Sequence, residues 1–291
     1  MNRITFSQAE DPAWFARNQI TERISQGKGE GVKVAIIDTG VEASHPGLNG
    51  LRLADDVAVS MKGGRLRVEE GRGQDLFGHG TAVAGIIREV APEVTIGSFR
   101  VLGPSSGGRA AVIREAVRFA FDAGYDILNC SFGCIAKNEF LPSFKGWVDE
   151  AYLRNCHVVA ASNNEDSGTV EWPSHFPSVI GVTHVESGGE KDVYFRPGKF
   201  VEFGAQGEHS NALWLGGTRK RVLGSSFASP RMAGLLARLL SAAPNTSVLV
   251  AKAAMMEYAK TWPSMSDSEL NPIPELIPPN GGQSDAGLYL S

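Results

Sequence analysis

An α/β protein in three layers, α/β/α with a mostly parallel central sheet, is what the order of patterns along this 291-residue chain predicts. Two observations carry the prediction. From Val32 to Thr183, short apolar runs rich in Val, Ile and Ala alternate with stretches of helical periodicity, and such alternation builds parallel strands joined by covering helices. No internal repeat or low-complexity linker divides the chain, so residues 1–291 read as one domain. Within it, 1–30 form an N-terminal extension and 261–291, rich in Pro, Ser and Gly, an extended tail on the surface.

Val32 to Ile37 is a β-branched run after a Gly-rich approach, a buried strand that delivers Asp38 at its carboxyl end. His79 to Val90 follows as a helix, then a strand at Thr95 to Val101. Ala110 to Ala123 sets Val112, Ile113, Ala116, Val117, Ala120 and Phe121 on one stripe, with Gly124 as its stop. A strand at Asp126 to Cys130, a helix at Phe144 to Asn155, and strands at His157 to Ala161 and Ser178 to Thr183 complete the alternation. Asp192 to Ala205 and Ala212 to Leu223 read as strand pairs, Ser226 to Ser241 and Ser247 to Ala259 as helices. In a parallel sheet covered on both faces, catalytic groups belong at the carboxyl ends of the strands.

Composition narrows the function. A hydrophobic content of 42% with 34 glycines and 15 prolines describes a loop-rich globular protein with a sizeable core. A formal charge of −4 gives no reason to expect nucleic acid or an anionic membrane as partner, and Arg219-Lys220-Arg221 reads as a solvated turn or edge. No apolar run is long enough to span a bilayer, and Met1 to Phe6 leads into polar sequence instead of a signal-peptide core. Cys130, Cys134 and Cys156 are an odd set without a zinc-like companion pair, which fits free thiols in a reducing compartment. The expected location is cytoplasmic.

One order of residues removes a large enzyme class. All six histidines, His45, His79, His157, His175, His184 and His209, precede Ser226 in Gly224-Ser225-Ser226-Phe227-Ala228-Ser229-Pro230. An α/β-hydrolase needs its histidine after the nucleophile, so the superficial fit of Gly224-x-Ser226-x-Ala228 to an elbow motif is empty. A chymotrypsin-like order, His79 followed by Asp126 or Asp166, stays open on order, but it requires all-β barrels that the alternating helices contradict.

Three segments carry the chemistry: Ala35-Ile36-Ile37-Asp38-Thr39-Gly40-Val41 ending a strand, Gly78-His79-Gly80-Thr81-Ala82-Val83-Ala84-Gly85 opening a helix, and the Ser226 segment opening another. Singly, each is a turn, a Gly-flanked turn or a helix cap. Together they resemble the signature segments of the subtilisin-like serine proteases, or subtilases, in that family's Asp, His, Ser order. Val101-Leu102-Gly103, Asn129 to Gly133, Val158 to Glu165 and Trp172 to Ile180 match in register, so the resemblance covers about Val32 to about Leu240.

The resemblance implies a subtilisin-like fold and a serine endopeptidase acting on peptide or protein substrates without a cofactor. Ser226 is then the nucleophile, His79 the base and Asp38 its orienting carboxylate. The oxyanion donors are the Ser226 N–H and the Asn164 amide. Asn163 competes for that role, since the family usually has Gly there, but Glu165 then falls where the family often has an acid. Substrate would pair as an added strand with edges at Ser106-Gly107-Gly108 and Ser131-Phe132-Gly133. Phe132 and Cys134 replace the family's common leucine and glycine, and both changes would narrow the groove. Glu165 and Glu171 fall at the primary specificity pocket, implying cleavage after Arg or Lys if a carboxylate faces it, or an apolar pocket if Glu171 faces solvent. Trp172-Pro173 is the position of a cis bond in the family.

Departures from the family shape further expectations. Ile86 to Pro92 runs on without the insertion that forms a tight calcium site in many relatives, so no metal is expected to be obligatory. Only 37 residues precede Asp38, too few for the propeptide of secreted relatives, which points to an intracellular processing enzyme of narrow specificity. Met1 to Ala9, with Phe6, is the candidate for a segment lying across the groove. The alternatives are a peptide ligase or macrocyclase using the same acyl-enzyme, and a catalytically silent peptide-binding module. Oligomeric state leaves no mark in the sequence.

Overall fold

The computed structural model describes residues 16–103, 108–135, 140–164, 169–186, 189, 192–262 and 289–290. In chain order the first half comprises α1 (Arg17–Gln26), β1 (Lys33–Asp38), β2 (Asp56–Lys62), β3 (Arg65–Glu70), α2 (His79–Val90), β4 (Thr95–Arg100), α3 (Ala110–Asp122), β5 (Ile127–Cys130), β6 (Phe132–Ile135) and α4 (Leu141–Leu153). The second half comprises β7 (His157–Ala161), β8 (Glu171–Trp172), β9 (Ile180–Val185), β10 (Val193–Phe195), β11 (Phe203–Gln206), β12 (His209–Trp214), β13 (Thr218–Val222), α5 (Ser225–Ala242), α6 (Val248–Tyr258), β14 (Lys260–Thr261) and β15 (Tyr289–Leu290).

A ten-stranded sheet runs β14-β10-β11-β9-β7-β5-β1-β4-β2-β3. From β11 to β2 every neighbouring pair is parallel; the antiparallel pairs, β10 with β11 and β2 with β3, lie toward the two edges. Alternation along β1 shows why three layers form. Val34 and Ile36 belong to the core shared with α1, α2, α5 and α6, whereas Ala35 and Ile37 belong to the core under α3 and α4. Successive side chains of a strand point to opposite faces, so a strand apolar at every position needs helices on both sides. Ile36 and Ile37 are each almost fully buried, which removes from water side chains worth about 1.5–3 kcal/mol apiece.

The predicted α/β/α architecture and its five parallel strands stand, with small shifts that have local causes. β9 starts at Ile180 because Val179 N–H closes a turn on the Phe176 carbonyl. α4 starts at Leu141 because Pro142, with its φ preset, sits in the first turn. Both strand pairs form as antiparallel ladders.

Other elements come from outside the sequence reading. Within the stretch assigned to the N-terminal extension, α1 buries Ile20 and Ile24 against α5 and α6. The β2–β3 hairpin turns at Gly63 and Gly64, both at positive φ. Two short antiparallel strands flank β6, giving a separate sheet of order β15-β6-β8.

Candidate active site

Register across the sheet fixes where the chemistry gathers. Ile37 pairs with Cys130 and Cys130 with Ala160, so Asp38, Ser131 and the Ser162–Asn164 turn emerge side by side from the carboxyl ends of β1, β5 and β7. The N-termini of α2 and α5 enter the same end, bringing His79 and Ser226.

Asp38 and His79 are joined directly. His79 Nδ1 donates to Asp38 Oδ1 at 2.9 Å and lies 3.0 Å from Oδ2, with both side chains buried. A carboxylate only accepts, so the ring nitrogen facing it carries the proton and Nε2 is left as the basic nitrogen. That Nε2 is buried and has no hydrogen-bond partner among the described residues. A Cβ on Gly80 would lie 2.0 Å from the Gly40 carbonyl oxygen, so only glycine after His79 lets α2 dock this closely on the end of β1.

Ser226 is in the first turn of α5 and fully buried. Its Oγ donates to the Ser131 carbonyl at 2.9 Å, so the structure brings the hydroxyl to β6's entry and not into a bond with His79. The two segments nevertheless touch: the rings of His79 and Phe227, the residue after the serine, have centroids 5.0 Å apart. Ser131 clamps the turn from the other side, its Oγ donating to the Ser226 carbonyl at 3.0 Å while Asn129 Nδ2 donates to that Oγ at 2.9 Å.

Asn164 faces the same turn. Its Oδ1 accepts from the Ser225 N–H at 2.7 Å, which fixes the carboxamide with its NH2 as the remaining donor. Gly224 makes the approach feasible, since its φ is 141° and a Cβ there would sit 3.1 Å from the Asn164 amide atoms. The Ser226 N–H, at the start of α5, belongs to the first-turn donors that helix geometry leaves without an intrahelical acceptor. Asn163 is committed elsewhere, donating from Nδ2 to Glu171 Oε1 at 2.7 Å.

Glu171 lies in β8 and is fully buried, which rules out the solvent-facing alternative. β8 pairs with β6 through Cys134 to Trp172 and Ile135 to Glu171, placing the carboxylate beside the strand that leads from Ser131. Phe132 and Cys134 are buried in the core under α3 and α4. Gly108 forms an isolated bridge, and the Trp172–Pro173 bond is cis. Ser106, Gly107, Glu165 and Met1 to Ala9 lie outside the described residues.

Comparison with known proteins places the sequence in a family. The Subtilase family model matches residues 29–276. Subtilisin DY of Bacillus licheniformis is 33% identical over 233 residues, covering 76% of this chain and 80% of that protein. Subtilisin E of Bacillus subtilis (strain 168) is 33% identical over 236 residues, covering 76% of this chain and 58% of that protein.

The chain belongs to the subtilase family.

Two solved structures share its fold. A cold-adapted subtilisin-like serine proteinase superposes with a TM-score of 0.61 at 23% identity, covering 78% of this chain and 81% of that one. A psychrophilic protease designated S41 gives 0.66 at 24%, covering 79% and 83%. Family membership makes this subtilase a serine endopeptidase, a hydrolase acting on peptide or protein substrates.

Its site also contains residues that sequence reasoning missed. Asp75 is buried and accepts five hydrogen bonds: Oδ1 from Thr39 Oγ1, Phe77 N–H and Gly78 N–H at 2.7, 2.9 and 2.8 Å, and Oδ2 from Thr81 N–H and Thr81 Oγ1 at 2.9 and 2.6 Å. Gly78, the cap of α2, has no side chain to satisfy the first-turn amides, so Asp75 does it from three residues upstream. Thr39 Oγ1 in turn accepts from the Gly80 N–H at 3.1 Å. This subtilase therefore pins its Asp38 segment to its His79 segment through Asp75. The signal was legible as an acidic residue just before a helix start.

Proposed function

We propose that Asp38, His79 and Ser226 form the catalytic triad, with the Ser226 N–H and Asn164 Nδ2 as oxyanion donors, and that Glu171 biases cleavage toward Arg or Lys before the scissile bond. The single observation that supports the triad is the buried pair of Asp38 and His79, which leaves Nε2 as a base aimed away from the carboxylate. When peptide arrives, the Ser226 hydroxyl rotates from the Ser131 carbonyl to Nε2. Its proton passes to His79 as Oγ attacks the carbonyl carbon, and the same proton then goes to the departing amine. Asp38 stabilises the imidazolium formed in between. The tetrahedral oxygen gathers charge at the N-terminus of α5, where an unpaired N–H, the helix dipole and the Asn164 amide converge.

The specificity reading rests on Glu171. A buried carboxylate beside the binding strand makes a charge-assisted, bidentate-capable partner for a cationic side chain, an interaction that an apolar side chain entering there cannot make. Such a pocket fits a processing enzyme of narrow specificity. The expected cytoplasmic location is in keeping with three free cysteines, all buried. Fluorophosphonate labelling of the wild type and of Ser226→Ala, together with cleavage of a peptide library, tests the whole reading. Labelling confined to the wild type and cuts after Arg or Lys support it; equal or better turnover after Leu or Phe refutes the specificity.

A further inference from the structure

The nucleophile's own neighbourhood is occupied. β6 starts at Phe132, one residue beyond the Ser131 carbonyl that accepts from Ser226 Oγ, so an edge of this strand is a track leading to the reactive hydroxyl. One edge of β6 is taken by β8. The other is taken by β15, antiparallel, with Tyr289 opposite Gly133 and Leu290 opposite Phe132. Each step up the chain in β15 is thus a step along β6 toward Ser131. A peptide whose acyl side is held on this edge must run in that direction, because the carbonyl to be attacked follows the residues that are recognised. Ser226 has no exposed surface in this state, and His79 only 3%.

Resting on the peptidase reading above, we infer that residues 289–290 are a resident ligand of the substrate-accepting edge, docked in substrate direction and displaced when peptide binds. The contact is main-chain pairing, which depends little on sequence, so the strand and a substrate compete for the same N–H and C=O groups. Pairing over two residues is weak alone. Tethering supplies an effective concentration on the order of millimolar, enough to raise the apparent KM of a short peptide by about threefold or more and low enough for a long, well-matched substrate to displace it. The partner class follows: extended peptides that cover more of β6 than β15 does are favoured over dipeptide-sized ones.

The test uses the 291-residue chain with Tyr289→Pro and Leu290→Pro made separately, since only one of the two residues aims its N–H at β6. Expected for at least one variant are a KM for a short peptide lower by about threefold with kcat within about twofold, and amide exchange at Phe132 to Cys134 faster by about tenfold. The synthetic peptide Gly-Leu-Tyr-Leu-Ser then inhibits that variant competitively and restores the protection. Unchanged KM and unchanged exchange in both variants overturn the inference. If neither wild type nor variants cleave any peptide, the peptidase reading has failed, while exchange and its restoration by the pentapeptide still decide whether β15 occupies the edge.

Discussion

Ser226 Oγ donates to the carbonyl oxygen of Ser131 at 2.9 Å, while the base it would need, His79 Nε2, is buried nearby without a hydrogen-bond partner among the described residues. The serine is held by the residue at the entry to β6, so on the proposed function freeing its hydroxyl and opening that strand's edge are linked events. Asp38→Asn should keep the fold and lower kcat by about 10³–10⁴, since a neutral amide no longer fixes the tautomer or stabilises the imidazolium. Steady-state kinetics on a variant whose circular dichroism matches the wild type checks this; a loss under about tenfold would remove Asp38 from the triad.

The oxyanion assignment separates two neighbouring asparagines. Asn164 is tied to the Ser225 N–H and Asn163 to Glu171, so their loss should have different signatures. Asn164→Ala should lower kcat by about 10²–10³ with KM little changed, the range seen when subtilisin loses its side-chain oxyanion donor. Asn163→Ala should instead alter preference for the residue before the cut. Measuring kcat and KM for both variants on one Arg-containing and one Leu-containing peptide distinguishes them, and the reverse pattern would move the oxyanion role to Asn163.

Glu171 is the specificity prediction. Glu171→Gln keeps the shape and the acceptor for Asn163 Nδ2 while removing the charge. A charge-assisted hydrogen bond worth about 1.5–3 kcal/mol converts to a fall of roughly 10–100-fold in kcat/KM for Arg over Leu. An unaltered Arg-to-Leu ratio would mean the carboxylate has a structural role and sets no specificity.

Asp75 tests positioning as distinct from chemistry. Asp75→Ala strands five donors on Thr39, Phe77, Gly78 and Thr81, each of which must find water or go unpaired. A loss of about 2–4 kcal/mol follows, a fall in Tm of roughly 5–15 °C for a domain of this size. Because the pin aligns Asp38 with His79, kcat should fall while KM holds, and Asp75→Asn should recover part of both. A stability loss with undiminished kcat would make Asp75 a cap and nothing more.

How much of this was legible beforehand follows from physical scale. β1, β5 and β7 could be read because both faces are buried, so apolar residues fill consecutive positions instead of alternating, and α3 because six apolar residues repeat on one stripe. α1 has only Ile20 and Ile24 on its buried face, too few to stand out among polar neighbours. β6, β8 and β15 are two to four residues long and exist through their partners, not through their own pattern. Asp38, His79 and Ser226 were legible because each stands in a segment of small residues around one reactive group. Whether the Ser226 hydroxyl faces His79 or Ser131 depends on a side-chain rotation that no residue identity records.

Stability should fall in mild acid for a reason located far from the triad. His157 opens β7 at its amino end, opposite the end that holds Asp38, and burial pushes its pKa down to about 4 against a hydrogen bond with the Thr246 backbone that raises it. The unfolded chain takes up this proton near 6.5 and the folded one only near 4, so between those values unfolding binds more protons. Stability is therefore complete above about pH 6.5 and is lost as pH falls toward 4, at about 1.4 kcal/mol per unit and on the order of 3 kcal/mol in all. His184, also lowered by burial, adds with the same sign. Asp126, raised by burial, opposes it toward the acid end of the window. His157→Gln should flatten the pH dependence of the denaturation midpoint by about one proton's worth, whatever its effect at pH 7. Equal slopes for the two proteins between pH 4.5 and 6.5 would assign the acid sensitivity to other groups.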